Sequence, residues 1–305
     1  MTTFRKLAFG YSTRCNIRCE HCIAADNRGV THQMELSRAV SLLEELAGCN
    51  VKGISFTAGE PLIFLKDILV LLQVCRQRDI YARVVTNGFW ATTPERSDDT
   101  VAQLKQNGLS QLRISFSRWH EKFVNRENIV NAVASCKKFD LDYFISFITD
   151  FVEEDEDREQ FLRDHGFRFF PEPVIYFGRA ESFNHSGIRT DYQPNTCLMN
   201  PYLSPELDFY ACCDAGSRFD NTDLFLLGNA RDTSLEDLFR KFENHLFLNL
   251  IRHMGLTDIA SYLGFRSREI ITYRKCELCE KLFNSREALN CLEQGINLGL
   301  LAWKR

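Results

Sequence analysis

The stretch "YSTRCNIRCEHCIAADNRG", residues 11–29, places three cysteines within eight positions. Cys15, Cys19 and Cys22 are separated by three residues and then by two. A closed structural zinc site uses four protein ligands, so three thiols leave one coordination position open. The spacing therefore favours a metal group that must still bind a small molecule. A structural zinc site and three unrelated thiols remain the alternatives.

The composition suits a soluble protein that forms one large globular unit or two smaller ones. The chain has 305 residues, of which 45% are hydrophobic and 26% charged, and its net charge of -4 does not favour a nucleic-acid surface. No apolar run reaches membrane-spanning length, and "MTTFRKLAFGYS" lacks a signal-peptide hydrophobic region. We expect a cytoplasmic protein with neither nucleic acid nor a membrane as partner, and without a leader-binding extension at its N-terminus.

The chain contains twelve cysteines, and a reducing compartment argues against a disulfide framework. Cys49, Cys75 and Cys136 are isolated, and the last two stand at helical spacing from apolar residues. We interpret all three as core thiols. The other cysteines form a group near the start and a second group near the end, Cys197, Cys212, Cys213, Cys276, Cys279 and Cys291.

Strand-like segments alternate with helical patterns over residues 5–177, which predicts an α/β fold with a parallel sheet. Six such repeats predict a partial (βα)6 barrel. The polar segment "AESFNHSGIRTDYQPN" is typical of a linker, so we predict domains over residues 1–185 and 186–305. The second is small and cysteine-rich, and residues 234–254 predict a long helical stretch within it.

Five unusual motifs follow predicted strands: "TRCNIRCEHC", "TAGEP", "TNGFW", "SFSRWH" and "FGRA". Loops that follow parallel strands share one edge of a barrel-like sheet, where active sites are built. The motifs are therefore expected to form a single site.

The C-x3-C-x2-C spacing of Cys15, Cys19 and Cys22 resembles the signature of radical S-adenosylmethionine (SAM) enzymes. The resemblance implies that these thiolates hold three irons of a [4Fe–4S] cluster and that SAM chelates the fourth. It also implies that an electron, from a donor such as flavodoxin or ferredoxin, splits SAM. The resulting 5'-deoxyadenosyl radical abstracts a hydrogen atom from an unactivated C–H bond.

"TAGEP" looks like the G-G-E-P motif of this family, with Ala58 in place of the first glycine. The resemblance implies that Gly59 and Glu60 hold the methionine amino group of SAM. It likewise implies that Asn87 and Ser115 line the ribose and carboxylate side.

Three further residues belong to the same set of motifs. Ser117 stands where relatives often have aspartate, and Arg179 in "FGRA" is expected near the SAM carboxylate or in an ordinary salt bridge. His120 is either a pocket residue or a hydrogen-bonded structural group.

The second cysteine group resembles the auxiliary-cluster domain, of the twitch or SPASM type, that follows many radical SAM cores. The resemblance implies a second [4Fe–4S] cluster held by Cys197, Cys212, Cys276 and Cys279, and a zinc knot built from the same thiols is the alternative. Cys291 is a spare thiol, either in the core or as an alternative ligand.

The adjacent pair Cys212 and Cys213 lies in "LDFYACCDAG", which reads as a short strand. Successive side chains of a strand point to opposite faces, so one thiol can bind the cluster while Cys213 faces another space. An ordinary thiol, with a pKa of about 8.5, is mostly protonated at neutral pH and can donate a hydrogen atom.

The motif order along most of the chain is similar to that of the epipeptide-type radical SAM epimerases, an isomerase group. The matching stretches are "STRCNIRCEHC", "ISFTAGE", "TNGFW", "RISFSRWHEKFV", "YACC" and "CELCEKLFNS". The resemblance implies L-to-D inversion at a peptide Cα in a ribosomally made natural product, with Cys213 as the hydrogen donor and the auxiliary cluster re-reducing its sulfur radical. One departure is "CLMNPY", which lacks an acidic residue that relatives carry there.

Other functions fit the same motifs. A carbohydrate or aminoglycoside epimerase could use the same thiol on a small natural product. A radical SAM dehydrogenase or a peptide cross-linking enzyme would pass the substrate electron to the auxiliary cluster. A zinc-bound interaction module without catalysis accounts for the cysteines but not for "TAGEP" and "TNGFW".

Overall fold

The computed structural model describes residues 4–23, 31–183, 197, 199–271 and 273–301. The predicted boundary between residues 185 and 186 lies outside these ranges, as does most of the predicted linker. The described chain divides into two compact units. Unit 1 is drawn from Met1–Val174, Gly178–Ala180 and Leu203–Glu206, and unit 2 from Ile175–Phe177, Glu181–Tyr202 and Leu207–Arg305.

Unit 1 is built on a parallel sheet. Its strands are β1 (Arg5–Gly10), β2 (Val51–Thr57), β3 (Tyr81–Thr86), β4 (Gln111–Phe116), β5 (Asp142–Thr149) and β6 (Phe169–Pro173). The spatial order β6-β5-β4-β3-β2-β1 follows the sequence order, and every neighbouring pair is parallel. This arrangement confirms the predicted α/β class with six parallel strands, of which the first five are each followed by an α-helix and β6 by a 3-10 helix, Gly178–Ser182. Because all strands run one way, the loops that follow them meet at one edge.

Helices connect successive strands of unit 1. They are α1 (Leu36–Gly48), α2 (Leu65–Gln77), α3 (Pro94–Gln106), the short α4 (Arg118–Glu121), α5 (Arg126–Lys138) and α6 (Glu153–Asp164). A 3-10 helix, Pro61–Phe64, precedes α2.

The core of unit 1 follows from the apolar periodicity of these elements. In α1, Ala39, Leu42, Leu43 and Leu46 stand at helical spacing and are fully buried. Burying one leucine side chain contributes about 2 kcal/mol. Cys75 and Cys136 are also fully buried and Cys49 nearly so, which confirms their interpretation as core thiols.

Unit 2 combines short strands with helices, and a two-residue strand β7 (Tyr202–Leu203) falls at the chain boundary between the units. Its antiparallel pair is β8 (Asp208–Tyr210) and β9 (Leu226–Asn229). Phenylalanine side chains form its core: the rings of Phe209 and Phe239 lie 5.1 Å apart, edge to face. The helices are α7 (Leu235–Asn244), α8 (Leu246–Met254), α9 (Leu256–Tyr262), α10 (Ser267–Ile270), α11 (Lys275–Phe283) and α12 (Arg286–Asn297).

The strand predicted across "LDFYACCDAG" is wrong at its C-terminal end. β8 ends at Tyr210, because the ladder with β9 shifts register there and Ala211 N makes one last bond to Phe225 O. Cys212 and Cys213 follow the strand and precede a 3-10 helix, Ala215–Arg218. The alternation of a strand therefore does not orient these two thiols.

The helical stretch predicted over residues 234–254 forms two helices, because the chain breaks between α7 and α8. His245 adopts extended backbone angles, with φ -68° and ψ 126°. The break exposes carbonyls at the end of α7, and Arg252 of α8 donates to Phe242 O and Glu243 O. None of the helices in the described ranges has the length and apolar character that a bilayer crossing requires.

Candidate functional site

The three-thiol loop, residues 14–22, follows β1 and brings Cys15, Cys19 and Cys22 together. Cys22 N donates to Cys19 O at 3.2 Å, which closes a tight turn between the last two cysteines. Burial, with a smaller contribution from the neighbouring thiols, raises the pKa of Cys15 to about 11 and that of Cys19 to about 12. Thiols that disfavour each other's ionised forms are suited to a bound cation, which would reverse that balance.

The turn after β2 is joined to the three-thiol loop through backbone contacts. Glu60 N donates to Arg14 O at 2.8 Å. Gly59 has φ 56°, and a Cβ at this position would lie 2.2 Å from Arg14 O, so no other residue fits without displacement. Ala58 adopts φ 66°, a left-handed conformation that costs an L-residue about 1 kcal/mol. The alanine that departs from the family motif therefore retains a backbone geometry typical of glycine.

Glu60 links the ends of β2 and β3. Its carboxylate accepts hydrogen bonds from Leu62 N at 3.1 Å, Thr86 Oγ1 at 2.8 Å and Asn87 N at 2.7 Å. Burial raises the pKa of Glu60 to about 7, although these three hydrogen bonds act in the opposite direction. Sequence reasoning did not identify this bracing role, and the contact of Glu60 with SAM stays a prediction.

Asn87 connects the β3 loop to the three-thiol loop. Its Nδ2 donates to Asn16 Oδ1 at 2.9 Å, and its Oδ1 accepts from Phe89 N at 3.0 Å. Ser115 lies on β4 beside Ser146 of β5 in the sheet register and is half-buried. The structure thus joins Asn87 to the three-thiol loop by a hydrogen bond, whereas Ser115 lies within β4, the strand that neighbours β3 in the sheet.

Ser117 caps the short helix α4 from a fully buried position. Its Oγ accepts from Trp119 N and His120 N at 3.2 Å and lies 2.8 Å from His120 Nδ1. Burial lowers the pKa of His120 to about 4, so this imidazole is neutral near pH 7. The contacts favour the hydrogen-bonded structural interpretation of His120, and they give Ser117 a structural role at the helix N-cap.

His21 is a residue of this site that sequence reasoning missed, although its position inside the cysteine motif was a usable signal. Its ring centroid lies 4.8 Å from those of Trp119 and His120. Three potential metal-ligand atoms lie within 4.8 Å of one another: Cys19 Sγ and one ring nitrogen each of His21 and His120. Burial lowers the pKa of His21, so two neutral imidazoles lie next to one of the three thiols.

Arg179 lies against the three-thiol loop. Its backbone N donates to Cys22 O at 3.2 Å, and the adjacent Gly178 has no room for a Cβ, which would lie 2.8 Å from the same oxygen. The positive charge of Arg179 acts to lower the pKa values of Cys15 and Cys19, against burial. Its Nε is buried without a hydrogen-bond partner among the described residues. The guanidinium is thus available to an anion bound at the cysteines.

In unit 2, a cavity of about 130 Å³ has four thiols in its lining, Cys197, Cys212, Cys276 and Cys279. We call it the four-thiol cavity. Cys276 and Cys279 lie one turn apart at the start of α11 and therefore share a face. Cys213 is not part of the lining, and Cys291 is exposed on α12, away from it.

Two charged residues also line the four-thiol cavity. Burial raises the pKa of Cys276 to about 12; the carboxylate of Asp214 adds to this increase, whereas Lys275 opposes it. Asp214 N donates to Cys212 Sγ at 3.3 Å, a contact that suits a thiolate. A buried four-thiol set is the donor set of both a [4Fe–4S] cluster and a tetrahedral zinc ion, so this site fits either group.

The pattern of the Radical SAM superfamily matches residues 10–165, that is 156 of the 305 residues. The chain therefore belongs to the radical SAM superfamily. Membership implies SAM and one [4Fe–4S] cluster, and the three-thiol loop provides a donor set that fits this cluster.

Similar proteins agree with this assignment. YydG of Bacillus subtilis (strain 168), named for peptide biosynthesis, is 23% identical over 306 residues, which cover 94% of each chain. The structure of anSMEcpe with AdoMet and the Cp18Cys peptide has a TM-score of 0.59 at 14% identity, covering 96% of this chain and 99% of that one. BtrN in complex with AdoMet and 2-DOIA has a TM-score of 0.54 at 15% identity, covering 82% and 88%. At these identities the two structures show a shared fold.

Proposed function

We propose that this protein is a radical SAM epimerase that inverts a stereocentre, from L to D, at a Cα of a ribosomally made peptide. The observation that carries the proposal is the separation of two adjacent thiols. Cys212 lines the four-thiol cavity and Cys213 does not. A thiol beside a metal-binding site but outside its ligand set is suited to donate a hydrogen atom.

The three-thiol loop is the proposed radical-generating site. The cluster and SAM, when bound, supply a 5'-deoxyadenosyl radical that takes the substrate hydrogen. Cys15, Cys19 and Cys22 are proposed as the cluster ligands. Gly59 and Glu60 are proposed to bind the amino group of SAM, and Asn87, Ser115 and Arg179 its ribose and carboxylate side. The unpartnered Nε of Arg179 supports the carboxylate contact. Because the hydroxyl of Ser117 is already used in capping α4, its proposed role is to hold that loop in place.

The inversion itself rests on Cys213. In the proposed step its S–H bond breaks and a new C–H bond forms on the face of the substrate carbon opposite the abstracted hydrogen. The sulfur radical then requires one electron and one proton before the next turnover. Cys212, the neighbouring residue, belongs to the set that we propose as ligands of a second [4Fe–4S] cluster, together with Cys197, Cys276 and Cys279. Because Cys212 and Cys213 are adjacent, a cluster bound by Cys212 would lie beside Cys213 and could supply this electron.

Two comparisons support a peptide as the substrate class. YydG, which is similar over 94% of both chains, is named for peptide biosynthesis, and anSMEcpe binds a peptide in its structure. The second candidate is a small natural product, because BtrN binds 2-DOIA within the same fold. The electron donor is proposed to be a flavodoxin or a ferredoxin.

Incubation in deuterated water tests the proposal, with peptides encoded by any short reading frames that adjoin the gene as trial substrates. Thiol protons exchange with solvent, so the inverted centre should carry one deuterium, whereas the product mass in ordinary water stays unchanged. Cys213→Ala should still form 5'-deoxyadenosine but little epimer. Cys291→Ala, an exposed cysteine on α12, is the matched control and should behave as the wild type. A product two mass units lighter, or an epimer without deuterium, contradicts the proposal.

A further inference from the structure

A cleft of about 610 Å³ opens on the surface of unit 1 directly beside Cys15. Three segments of the chain form its walls: the three-thiol loop, the 3-10 helix with the start of α2, and the β3–α3 loop with the first turns of α3. Cys15 is the most exposed residue of the three cysteines and Cys19 is buried, although the atoms around the Cys15 thiol still raise its pKa. Because Cys15 lines the cleft, a partner docked there would lie beside one of the proposed cluster ligands.

The floor of the cleft is apolar. Leu62, Ile63 and Leu65 contribute from one wall, and Phe89 and Trp90 from the opposite wall. Ile63, Leu65 and Phe89 are only half-buried, although leucine, isoleucine and phenylalanine prefer the interior of a folded protein. Such a floor suits an apolar partner group better than a hydrated small anion.

The rim of the cleft carries two arginines. Arg14 and Arg96 are both exposed and have no carboxylate within ion-pair distance among the residues that the structure describes. Arg96 Nη1 makes only a 3.3 Å contact to Thr92 Oγ1. Asp99 also lines the cleft, so the lining contains two positive charges and one negative charge. Unpaired guanidinium groups bind carboxylates in bidentate fashion, which favours an acidic partner surface.

We propose that this cleft is the docking surface for an acidic electron-carrier protein of the flavodoxin type. The partner that fits this cleft has an apolar cofactor edge framed by carboxylates, which is the chemistry expected of an acidic flavoprotein. The flavin edge matches the apolar floor, and the surrounding carboxylates match Arg14 and Arg96. Docking there would bring the flavin beside Cys15, from which one electron passes from the reduced flavin to the cluster. This inference rests on the proposed function, because a cluster at Cys15 must receive electrons.

Charge reversal at Arg96 tests the proposal in the reconstituted enzyme. Reduced flavodoxin drives 5'-deoxyadenosine formation in one arm, and dithionite, which needs no docking surface, drives it in the other. Arg96→Glu should lower the flavodoxin-driven rate roughly tenfold at low salt, and raising the ionic strength should reduce the wild-type rate. The dithionite-driven rate should remain that of the wild type, which also shows that the variant folds.

Arg163→Glu is the matched control. It reverses the same charge on α6, where Arg163 is paired with Glu159, and should not change either rate. Along the chain, α3 with Arg96 precedes β4, whereas α6 with Arg163 precedes β6. The two arginines therefore belong to different parts of the sheet.

Binding without turnover provides a second measurement. An NMR titration of isotope-labelled oxidised flavodoxin should show salt-sensitive shifts with the wild type and weaker binding with Arg14→Ala and Arg96→Glu. If the wild type does not bind flavodoxin, or if Arg96→Glu binds and accepts electrons as the wild type does, the cleft is not the docking surface. Failure of dithionite to produce 5'-deoxyadenosine would instead contradict the proposed function, while the titration would still decide the docking proposal.

Discussion

The three-thiol loop and the four-thiol cavity use the same side chain in different structural contexts. The first collects its thiols from eight consecutive residues of one loop, and its first cysteine is exposed. The second collects them from three distant segments, around residues 197, 212 and 276–279. In this chain the local spacing alone brings the three thiols of the loop together, whereas the four thiols of the cavity meet only when unit 2 folds.

The largest expected effect separates the two sites directly. Cys19→Ala removes a buried thiol of the three-thiol loop and should reduce 5'-deoxyadenosine formation to background, because the cluster that binds SAM is lost. The iron content should fall to about half if the four-thiol cavity holds the proposed second cluster. Iron analysis and product quantification check this outcome. Retention of full SAM cleavage would contradict the assignment of the loop.

The reciprocal change is Cys279→Ala in the four-thiol cavity. It should also remove about half of the iron, yet dithionite-driven formation of 5'-deoxyadenosine should persist. On the proposed function, epimer formation should stop after at most one turnover. Cys291→Ala is the control. If the wild-type protein contains one [4Fe–4S] cluster and one zinc ion per chain, the four-thiol cavity holds zinc.

A pH effect is expected in the first site, where His120 is buried, and not in the four-thiol cavity, which has no histidine in its described lining. Burial lowers the pKa of His120 from an ordinary 6.5 to about 4. As the pH falls, this histidine is therefore protonated in the unfolded chain before it is protonated in the folded protein. The contribution of His120 is fully present above pH 6.5 and is lost as pH falls towards 4, by about 3 kcal/mol. Glu60, whose pKa burial raises to about 7, acts in the opposite direction over the same range, so the difference between the wild type and a His120 variant isolates the histidine. Urea unfolding of the cluster-free protein measures it, and His120→Asn should show a flatter profile than the wild type.

The smallest expected effect concerns the turn beside the three-thiol loop. Gly59→Ala forces a Cβ towards Arg14 O and should lower the free energy of unfolding by about 2 kcal/mol, together with SAM cleavage. Gly48→Ala is the matched control, because its Cβ meets no atom within 4 Å. Equal effects of the two substitutions in thermal unfolding would contradict a specific role for Gly59.

Much of unit 1 was predictable because local periodicity and tertiary packing agree there. The predicted alternation of strands and helices over residues 5–177 matches the order β1 to β6 with α1 to α6, and the apolar positions of α1 are the buried ones. Unit 2 was harder, since neither the end of β8 at Tyr210 nor the break at His245 follows from hydrophobic pattern alone. Both involve contacts that a hydrophobic pattern does not encode: Phe225 O accepts the last ladder bond, and Arg252 donates to carbonyls at the end of α7.

The sequence by itself determined the class of sheet and the place of the three-thiol loop, because strand–helix alternation and ligand spacing are local properties of the chain. Only the tertiary structure decided that Glu60 braces two loops, that Ser117 and His120 form a buried hydrogen-bonded pair, and that Cys212 rather than Cys213 lines the cavity. These facts depend on burial and on contacts between distant segments. Their energies arise only when the folded chain excludes water from those groups.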